Sequence, residues 1–271
     1  MRVVKNKVVL PILCIFLLSV VILITNEGKF EMVNMAKNLT IVVVYDNTAY
    51  LPNLKANHGF SCVIKINDKR ILFDTGTDES VLLNNLEKLG IRPESISTVV
   101  LSHGHTDHVG GLEGFLKRNG NVTVYLLASF PSEFKRMVKS YGANVVEVSE
   151  ARKIDEAVYS TGELGMFVKE QALVVTTPKG LVVITGCAHP GIANIVRFVK
   201  QKFGKVYLVA GGFHLMWSSE NEISKVVREL KELGVKKVMP CHCTGRLASE
   251  MFRNAFKGNF EECGVGRILK I

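Results

Sequence analysis

The sequence predicts a mixed α/β fold, a four-layer αββα sandwich with two β-sheets face to face and helices outside. Three observations predict it. Hairpin-like strand pairs come first and strand–helix alternation follows, and that order occurs twice along the chain. The hairpins call for mixed sheets, which argues against a single doubly wound sheet. Every element is amphipathic or short and apolar, so two packed sheets with outer helices would bury the pattern.

The elements follow in order. Leu39 to Tyr45 is rich in β-branched residues and reads as a strand. Gly59 to Ile66 and Arg70 to Phe73 form a hairpin across Asn67-Asp68-Lys69. Asp78 to Leu89 carries Val81, Leu82, Leu86 and Leu89 at helical spacing, with Asp78 as N-cap and Gly90 as stop. Thr98 to Leu101 is a short buried strand, and Ser102 to Gly111 a loop rich in histidine and glycine. A short helix and the strand Val122 to Leu127 come next. Ala172 to Thr176 and Leu181 to Ile184 form a second hairpin, turning at Pro178-Lys179-Gly180. Ile192 to Phe203 is helical, and Val206 to Ala210 is a strand ending in Gly211-Gly212. Ser219 to Leu233 places Ile223, Val226, Val227, Leu230 and Leu233 on one helix face. Lys237 to Met239 is a strand, Thr244 to Phe256 a helix, and Val265 to Ile271 a final strand.

The chain has 271 residues, 47% hydrophobic and 22% charged. No repeat or long linker interrupts it, so residues 38–271 read as one domain. Residues 1–37 read as a separate N-terminal segment. Val8 to Thr25 is an apolar run preceded by Arg2, Lys5 and Lys7. Its length is at the short end of a membrane span, and the positive flank places the rest of the chain outside. Membrane anchoring is the expectation taken. A cleaved signal peptide is the rival, and translation starting at Met32 or Met35 would instead give a cytoplasmic protein.

Net charge is +9. In the first 37 residues five cations stand against Glu27 and Glu31, which leaves +3 there and +6 on the domain. A basic domain favours an anionic small-molecule substrate, although a solvated charged surface explains the same count. No basic block with interleaved aromatics marks a nucleic-acid face, so no nucleic-acid partner is expected. Oligomeric state is not legible. The six cysteines do not space as a small disulfide scaffold. Cys241 and Cys243 flank a histidine and read as the wall of a site more than as a staple, pointing away from His242 on an extended segment.

Seven histidines carry the chemistry: His58, His103, His105, His108, His189, His214 and His242. Six fall at or just beyond strand ends and His58 just precedes one, a distribution that favours a shared site. In Ser102-His103-Gly104-His105-Thr106-Asp107-His108, three imidazoles and a carboxylate lie within six positions. Imidazole and carboxylate together suit zinc, iron or manganese, with magnesium a further candidate. Four donors on one tight loop cannot all surround one ion. Alternate residues can face two adjacent positions, so one or two divalent metal ions are expected, zinc first among them.

His-x-His-x-Asp-His after a strand, with Asp74-Thr75-Gly76 upstream and Gly110-Gly111-Leu112 downstream, resembles the hallmark of the metallo-β-lactamase superfamily. The resemblance covers about Leu39 to Ile271. A narrower likeness rests on His58-Gly59-Phe60-Ser61, Gly186-Cys187-Ala188-His189-Pro190-Gly191, Gly211-Gly212-Phe213-His214-Leu215 and Pro240-Cys241-His242-Cys243-Thr244-Gly245. In this order they resemble the branch that includes an archaeal synthase of methanopterin synthesis. That synthase joins a dihydropterin diphosphate to a ribosylated aminobenzene phosphate. Many members of the branch are metal-dependent hydrolases.

The resemblance implies one metal on His103, His105 and His189, and a second on Asp107, His108 and His242. Asp74 would support the metal loop from behind. Many superfamily members carry a bridging aspartate after a strand, whereas here the strand Leu181 to Ile184 leads into Gly186-Cys187. Cys187 stands open between thiolate ligand, reactive thiol and packing residue, and a supporting place behind the ligands is the expectation taken. Asp107 would also orient water. His214 and His58 would stabilise leaving-group charge or move a proton. The helix opening at Thr244-Gly245 could hold a phosphate oxygen. The function expected is a hydrolase or a dihydropterin-diphosphate-type transferase. The alternative is a membrane-anchored metal or ligand sensor without catalysis.

Overall fold

The computed structural model describes residues 34–271. The N-terminal anchor or signal segment expected from the sequence falls almost wholly outside the described residues. Among the described residues no helix is long and apolar enough to cross a membrane.

Thirteen strands among the described residues build two sheets. The first runs in the order β13-β1-β2-β3-β4-β5-β6. Its members are β1 (Leu39–Tyr45), β2 (Ser61–Ile66), β3 (Lys69–Phe73), β4 (Thr98–Val100), β5 (Thr123–Leu127), β6 (Asn144–Val148) and β13 (Ile268–Lys270). The second runs β12-β11-β10-β9-β8-β7. It contains β7 (Glu150–Asp155), β8 (Val158–Gly162), β9 (Leu173–Thr177), β10 (Gly180–Thr185), β11 (Val206–Gly212) and β12 (Lys237–Cys241). In each sheet antiparallel hairpins give way to parallel strands: β3, β4 and β5 on one side, β10, β11 and β12 on the other.

Alternation along β1 shows why four layers form. Ile41 and Val43 join a core with Leu173, Val182, Ile184, Leu208 and Met239 of the second sheet. Val42 and Val44 face the opposite way, into a core with Leu82, Leu86 and Phe115. Successive strand residues point to opposite faces, so a strand apolar throughout is covered on both. The outer cover of the first sheet comes from α1 (Glu79–Lys88) and α3 (Leu112–Arg118), with α2 (Thr106–Val109) between them and α4 (Ser132–Ser140) beyond. The second sheet carries α5 (Ile192–Lys202), α6 (Glu220–Glu232) and α7 (Arg246–Phe256). Phe252 of α7 meets Phe213 beyond β11 with ring centroids 5.3 Å apart.

The sequence predicts the Asp78 cap, and the structure adds a second at Ser219. The Asp78 carboxylate accepts from the N–H groups of Ser80 and Val81 and starts α1. Ser219 and Glu222 form a reciprocal capping box at α6. Asn67 takes a left-handed φ of 52°, which lets the β2–β3 turn close in two residues.

Four expectations need correction. The His/Gly-rich loop holds a helical turn, α2, because the backbone N–H of His108 reaches the carbonyl of His105. The last long helix starts at Arg246, two residues later than expected, since residues 242–244 form a separate 3-10 turn. That turn also ends the extended alternation assumed for Cys241 to Cys243. Cys241 is a staple after all: it forms a disulfide with Cys263. Residues 128–171, left without elements in the sequence reading, hold α4, β6, β7 and β8. Their strands are partly exposed edge strands without a clean alternation, so periodicity is weak there.

Candidate metal centre

Parallel pairing brings the C-terminal ends of β3, β4, β10, β11 and β12 to one edge of the paired sheets. Asp74 follows β3, Ser102 and His103 follow β4, Cys187 to His189 follow β10, His214 follows β11, and His242 follows β12. Six of the seven histidines and two free cysteines therefore meet in space.

Two donor groups form. In His103, His105 and His189, one ligand atom of each lies within 4.8 Å of the others. Asp107, His108, Cys187 and His242 meet the same criterion. The His103 ring links the groups, with its centroid 4.3 Å from that of His108 and 4.7 Å from that of His189. The six residues expected to hold metal are thus brought together, with Cys187 joining Asp107, His108 and His242.

Hydrogen bonds fix which nitrogen faces inward in His103, His108, His189 and His242. Ser102 Oγ donates its only proton to Asp74 Oδ2 (2.7 Å), so it can only accept from Nδ1–H of His103 (2.9 Å). His103 Nε2 is then a lone pair, and it is buried with no hydrogen-bond partner. His189 Nδ1 lies 2.9 Å from Glu170 Oε2, and His108 Nδ1 lies 2.7 Å from Asp74 Oδ2. His242 Nδ1 lies 2.9 Å from Asn47 Oδ1, an oxygen that also accepts from the Gly59 N–H. Each outer nitrogen meets an oxygen acceptor, so each inner Nε2 carries a lone pair toward the centre. A buried lone pair left unpaired is costly, and this outward clamping is the arrangement that metal-binding imidazoles adopt. On these observations the residues fit a divalent cation.

Electrostatics agree. Burial pulls the imidazolium of His103 down to about 3 and that of His108 to about 4, so both rings are neutral near pH 7. Burial would raise the Asp107 carboxyl, but the His242 hydrogen bond and the nearby His108 and His242 rings hold it well below the usual carboxylate range. His242 Nε2 and Asp107 Oδ2 stand 3.0 Å apart, two acceptor atoms that need a proton or a cation between them.

The other expected site residues also sit here. Asp74 is fully buried and accepts from Ser102 N–H as well (2.7 Å). His58 Nε2 is 3.3 Å from Asp107 Oδ2 at the exposed rim. His214 lies with its ring 4.5 Å from His189. Cys187 Sγ is 3.2 Å from His108 Nε2, closer to the donors than the supporting place expected of it. Thr244 does not reach a phosphate position, because it is buried and its Oγ accepts from Phe213 N–H at 3.1 Å. Asp74, Ala188, His214 and His242 all adopt left-handed φ values between 47° and 64°, strain that non-glycine residues hold where a site demands it.

Three site residues escaped sequence reasoning. Glu170 is buried and accepts from the N–H groups of Cys187, Ala188 and His189. Asp46 accepts from His242 N–H at 2.8 Å, and Asn47 clamps the His242 ring. No motif marks Glu170. Asp46-Asn47 directly after a buried strand was the one available signal.

Two clefts flank the centre. One, of about 450 Å³, is lined by His58, Thr77, His105 and Asp107. The other, of about 360 Å³, is lined by His189, His214, Ser218 and Lys225.

Comparison with known proteins follows the same lines. The chain is 30% identical to 7,8-dihydropterin-6-methyl-4-(beta-D-ribofuranosyl)-aminobenzene-5'-phosphate synthase of Methanocaldococcus jannaschii, across 92% of this chain and all of that protein. A crystal structure of a metal-dependent hydrolase of the β-lactamase superfamily superposes with a TM-score of 0.74 at 34% identity, covering 86% of this chain and 99% of that one. Human tRNase Z, short form, shares the fold with a TM-score of 0.60 at 14% identity, covering 85% of this chain and 98% of that one. The fold of this group implies divalent metal binding, and the donor clusters agree with it. Residues 55–242 match the sequence pattern of the metallo-beta-lactamase superfamily, and the chain belongs to that superfamily.

Proposed function

We propose that the chain is a metal-dependent enzyme acting on a phosphorylated or otherwise anionic small molecule. The reaction is hydrolysis or a group transfer of the dihydropterin-diphosphate kind. The observation that carries the reading is the orphaned Nε2 of buried His103, in a ring of imidazoles of which His108, His189 and His242 have their Nδ1 engaged. The relatives support it: one is named as a pterin phosphate synthase and one as a metal-dependent hydrolase.

In this reading His103, His105 and His189 hold one divalent ion, zinc foremost, and Asp107, His108 and His242 hold a second. Bound there, such ions supply Lewis-acid polarisation of a phosphoryl oxygen and acidify a water molecule. The chain's own groups do the rest. Asp74 and Glu170 lock the rings and their tautomers. Asp107, partly exposed between His58 and His242, orients the attacking group through its free carboxylate lone pairs. His58 and His214 stand on the two open sides of the centre, where either can deliver a proton to a departing oxygen or balance its charge. Lys225, in the cleft beside His214, offers an ammonium to an anionic substrate.

Elemental analysis of purified protein, with activity of a His103→Ala/His105→Ala variant, tests the metal reading. One or two equivalents of metal, and loss of most activity in the variant, are expected; full activity in the variant would sink it. Turnover of dihydropterin diphosphate with and without the aminobenzene acceptor separates transfer from hydrolysis. The N-terminal segment is proposed to tether the domain: the full chain should sediment with membranes, and a chain begun at Met35 should not.

A further inference from the structure

The loops after β10, β11 and β12 bring together a donor set that the proposed function does not use as metal ligands. Cys187, His214 and Cys243 each contribute one ligand atom, all within 4.8 Å of one another. In the sequence Cys187 and His214 stand far apart, and an extended segment would turn Cys243 away from both. The fold makes them one cluster.

The cluster is built by backbone. The Cys243 carbonyl accepts from the N–H groups of both Leu215 and Met216, each at 3.1 Å, which ties the His214 loop to the Cys243 turn. Gly212 N–H donates to the Gly186 carbonyl at 3.1 Å, which ties the same loop to the Cys187 loop. At Gly212 a side chain is excluded: a Cβ there would lie 2.3 Å from the Gly186 carbonyl oxygen, 2.6 Å from Cys243 Sγ and 3.2 Å from Cys187 Cα. His214 holds a left-handed φ of 54°. Cys243 Sγ donates to the Cys187 carbonyl at 3.5 Å, which holds the two cysteines side by side. Cys187 Sγ at the same time faces His108 Nε2 at 3.2 Å. Among the described residues Cys62 is the other free cysteine, and it lies in the core between the sheets.

The geometry points to a thiolate metal position made by Cys187, Cys243 and His214, beside the imidazole–carboxylate positions and sharing Cys187 with them. Two sulfurs and one imidazole select a borderline or soft divalent ion of the zinc class and discriminate against magnesium and manganese. Binding releases the thiol protons to solvent. Three protein donors leave a fourth place open, and exposed His214 puts that opening on the solvent side, where a substrate atom or water can enter. This inference deepens the metal reading of the same edge but stands on its own donor set.

Cobalt(II) titration of the metal-free full-length chain, with the Cys241–Cys263 disulfide intact, tests it, because thiolate ligation produces an intense near-ultraviolet sulfur-to-cobalt band that histidine and carboxylate do not. The wild type is expected to develop that band. Cys243→Ser is expected to weaken it and to lower bound metal by one equivalent. His214→Ala, at an exposed side chain that folding does not need, should keep the band but weaken its cobalt affinity at least tenfold. His103→Ala/His105→Ala should retain the band, so failure of the imidazole site and failure of the thiolate site read out separately. No band in the wild type, or an unchanged band and stoichiometry in Cys243→Ser, would overturn the inference.

Discussion

Glu170 holds His189 at both ends: one carboxylate oxygen lies 2.9 Å from the backbone nitrogen of His189 and 2.9 Å from its ring Nδ1. Its other oxygen accepts from the N–H groups of Cys187 and Ala188. Burial alone would raise this carboxyl, but the His189 hydrogen bond, the nearby His103 and the N–H donors hold it at about 2. One buried side chain therefore shapes the whole turn that presents Cys187 and His189.

Glu170→Ala strands three backbone donors and frees the His189 ring. Each unpaired buried group costs roughly 1–3 kcal/mol, so the variant should lose about 3 kcal/mol or more, read as a lowered urea midpoint. Glu170→Gln keeps an acceptor and should fold. It should still weaken metal retention by roughly 10–100-fold, the usual consequence of losing a ligand's outer partner. Competition against a graded series of chelators measures this. Wild-type retention in Glu170→Gln would show that His189 needs no orientation.

Much of this site was legible because its ligands lie at strand ends with strong local patterning. The strand Thr98 to Leu101 and the spacing from His103 to His108 place the loop and its two-way division of donors with no tertiary information. Cys243 and Glu170 were not legible. Cys243 turns toward Cys187 only because residues 242–244 leave the extended conformation. Glu170 acts across a bridge between Leu164 and Glu170 in a stretch without clean periodicity. The pairing of Cys241 with Cys263 depends on a loop returning beside β12, where Phe260 bridges Val238, and spacing alone does not encode that.

Acid should destabilise the metal-free domain through its histidines. His103 and His108 are held neutral by burial down to about 3 and about 4, whereas an unfolded chain protonates them near 6.5. The unfolded state binds more protons in that window, so stability falls as pH drops from about 6.5 toward 4. Asp74, raised by burial to about 7, works the other way between the ordinary carboxylate value of 3.8 and about 7. His214 and His242, raised in the fold, likewise gain stability on acidification, so the share of the buried rings is read as a difference between two proteins. Chelated wild type unfolded in urea at pH 7, 6 and 5 should lose stability toward pH 5 relative to a His108→Asn variant. A variant that loses as much as the wild type would contradict the assignment of neutral, buried rings.

Reducing the disulfide between Cys241 and Cys263 should matter to stability before it matters to the site. The bridge spans a sequence separation of 22 and joins the end of β12 to the loop before β13. A loop of that length corresponds to about 3 kcal/mol of chain-entropy stabilisation. Cys263→Ser should therefore lower the thermal midpoint by several degrees while leaving metal stoichiometry unchanged. If metal content falls in step with stability, Cys241 shares in the site itself, beside the Asp46 that holds the His242 backbone.

Gly110 separates the metal loop from the Asp74-Thr75-Gly76 segment by the thickness of a bare backbone. A Cβ at Gly110 would meet the Thr77 carbonyl oxygen at 2.1 Å and the Thr106 carbonyl oxygen at 2.8 Å. These are backbone atoms and cannot swing aside as a side chain would, so Gly110→Ala must push α2 away from Thr77. The turn carries Asp107 and His108, and Thr75 is bonded to the His108 carbonyl through both its N–H (2.8 Å) and its hydroxyl (3.0 Å). The movement should reach the Asp107, His108 and His242 position first and leave His189, on another sheet, in place. Gly110→Ala is thus expected to lose about 1–3 kcal/mol of stability and to bind metal more weakly at that position than at the His103, His105 and His189 position. Stepwise zinc titration followed by calorimetry resolves the two, and equal weakening of both would show that the loop moves as a rigid unit.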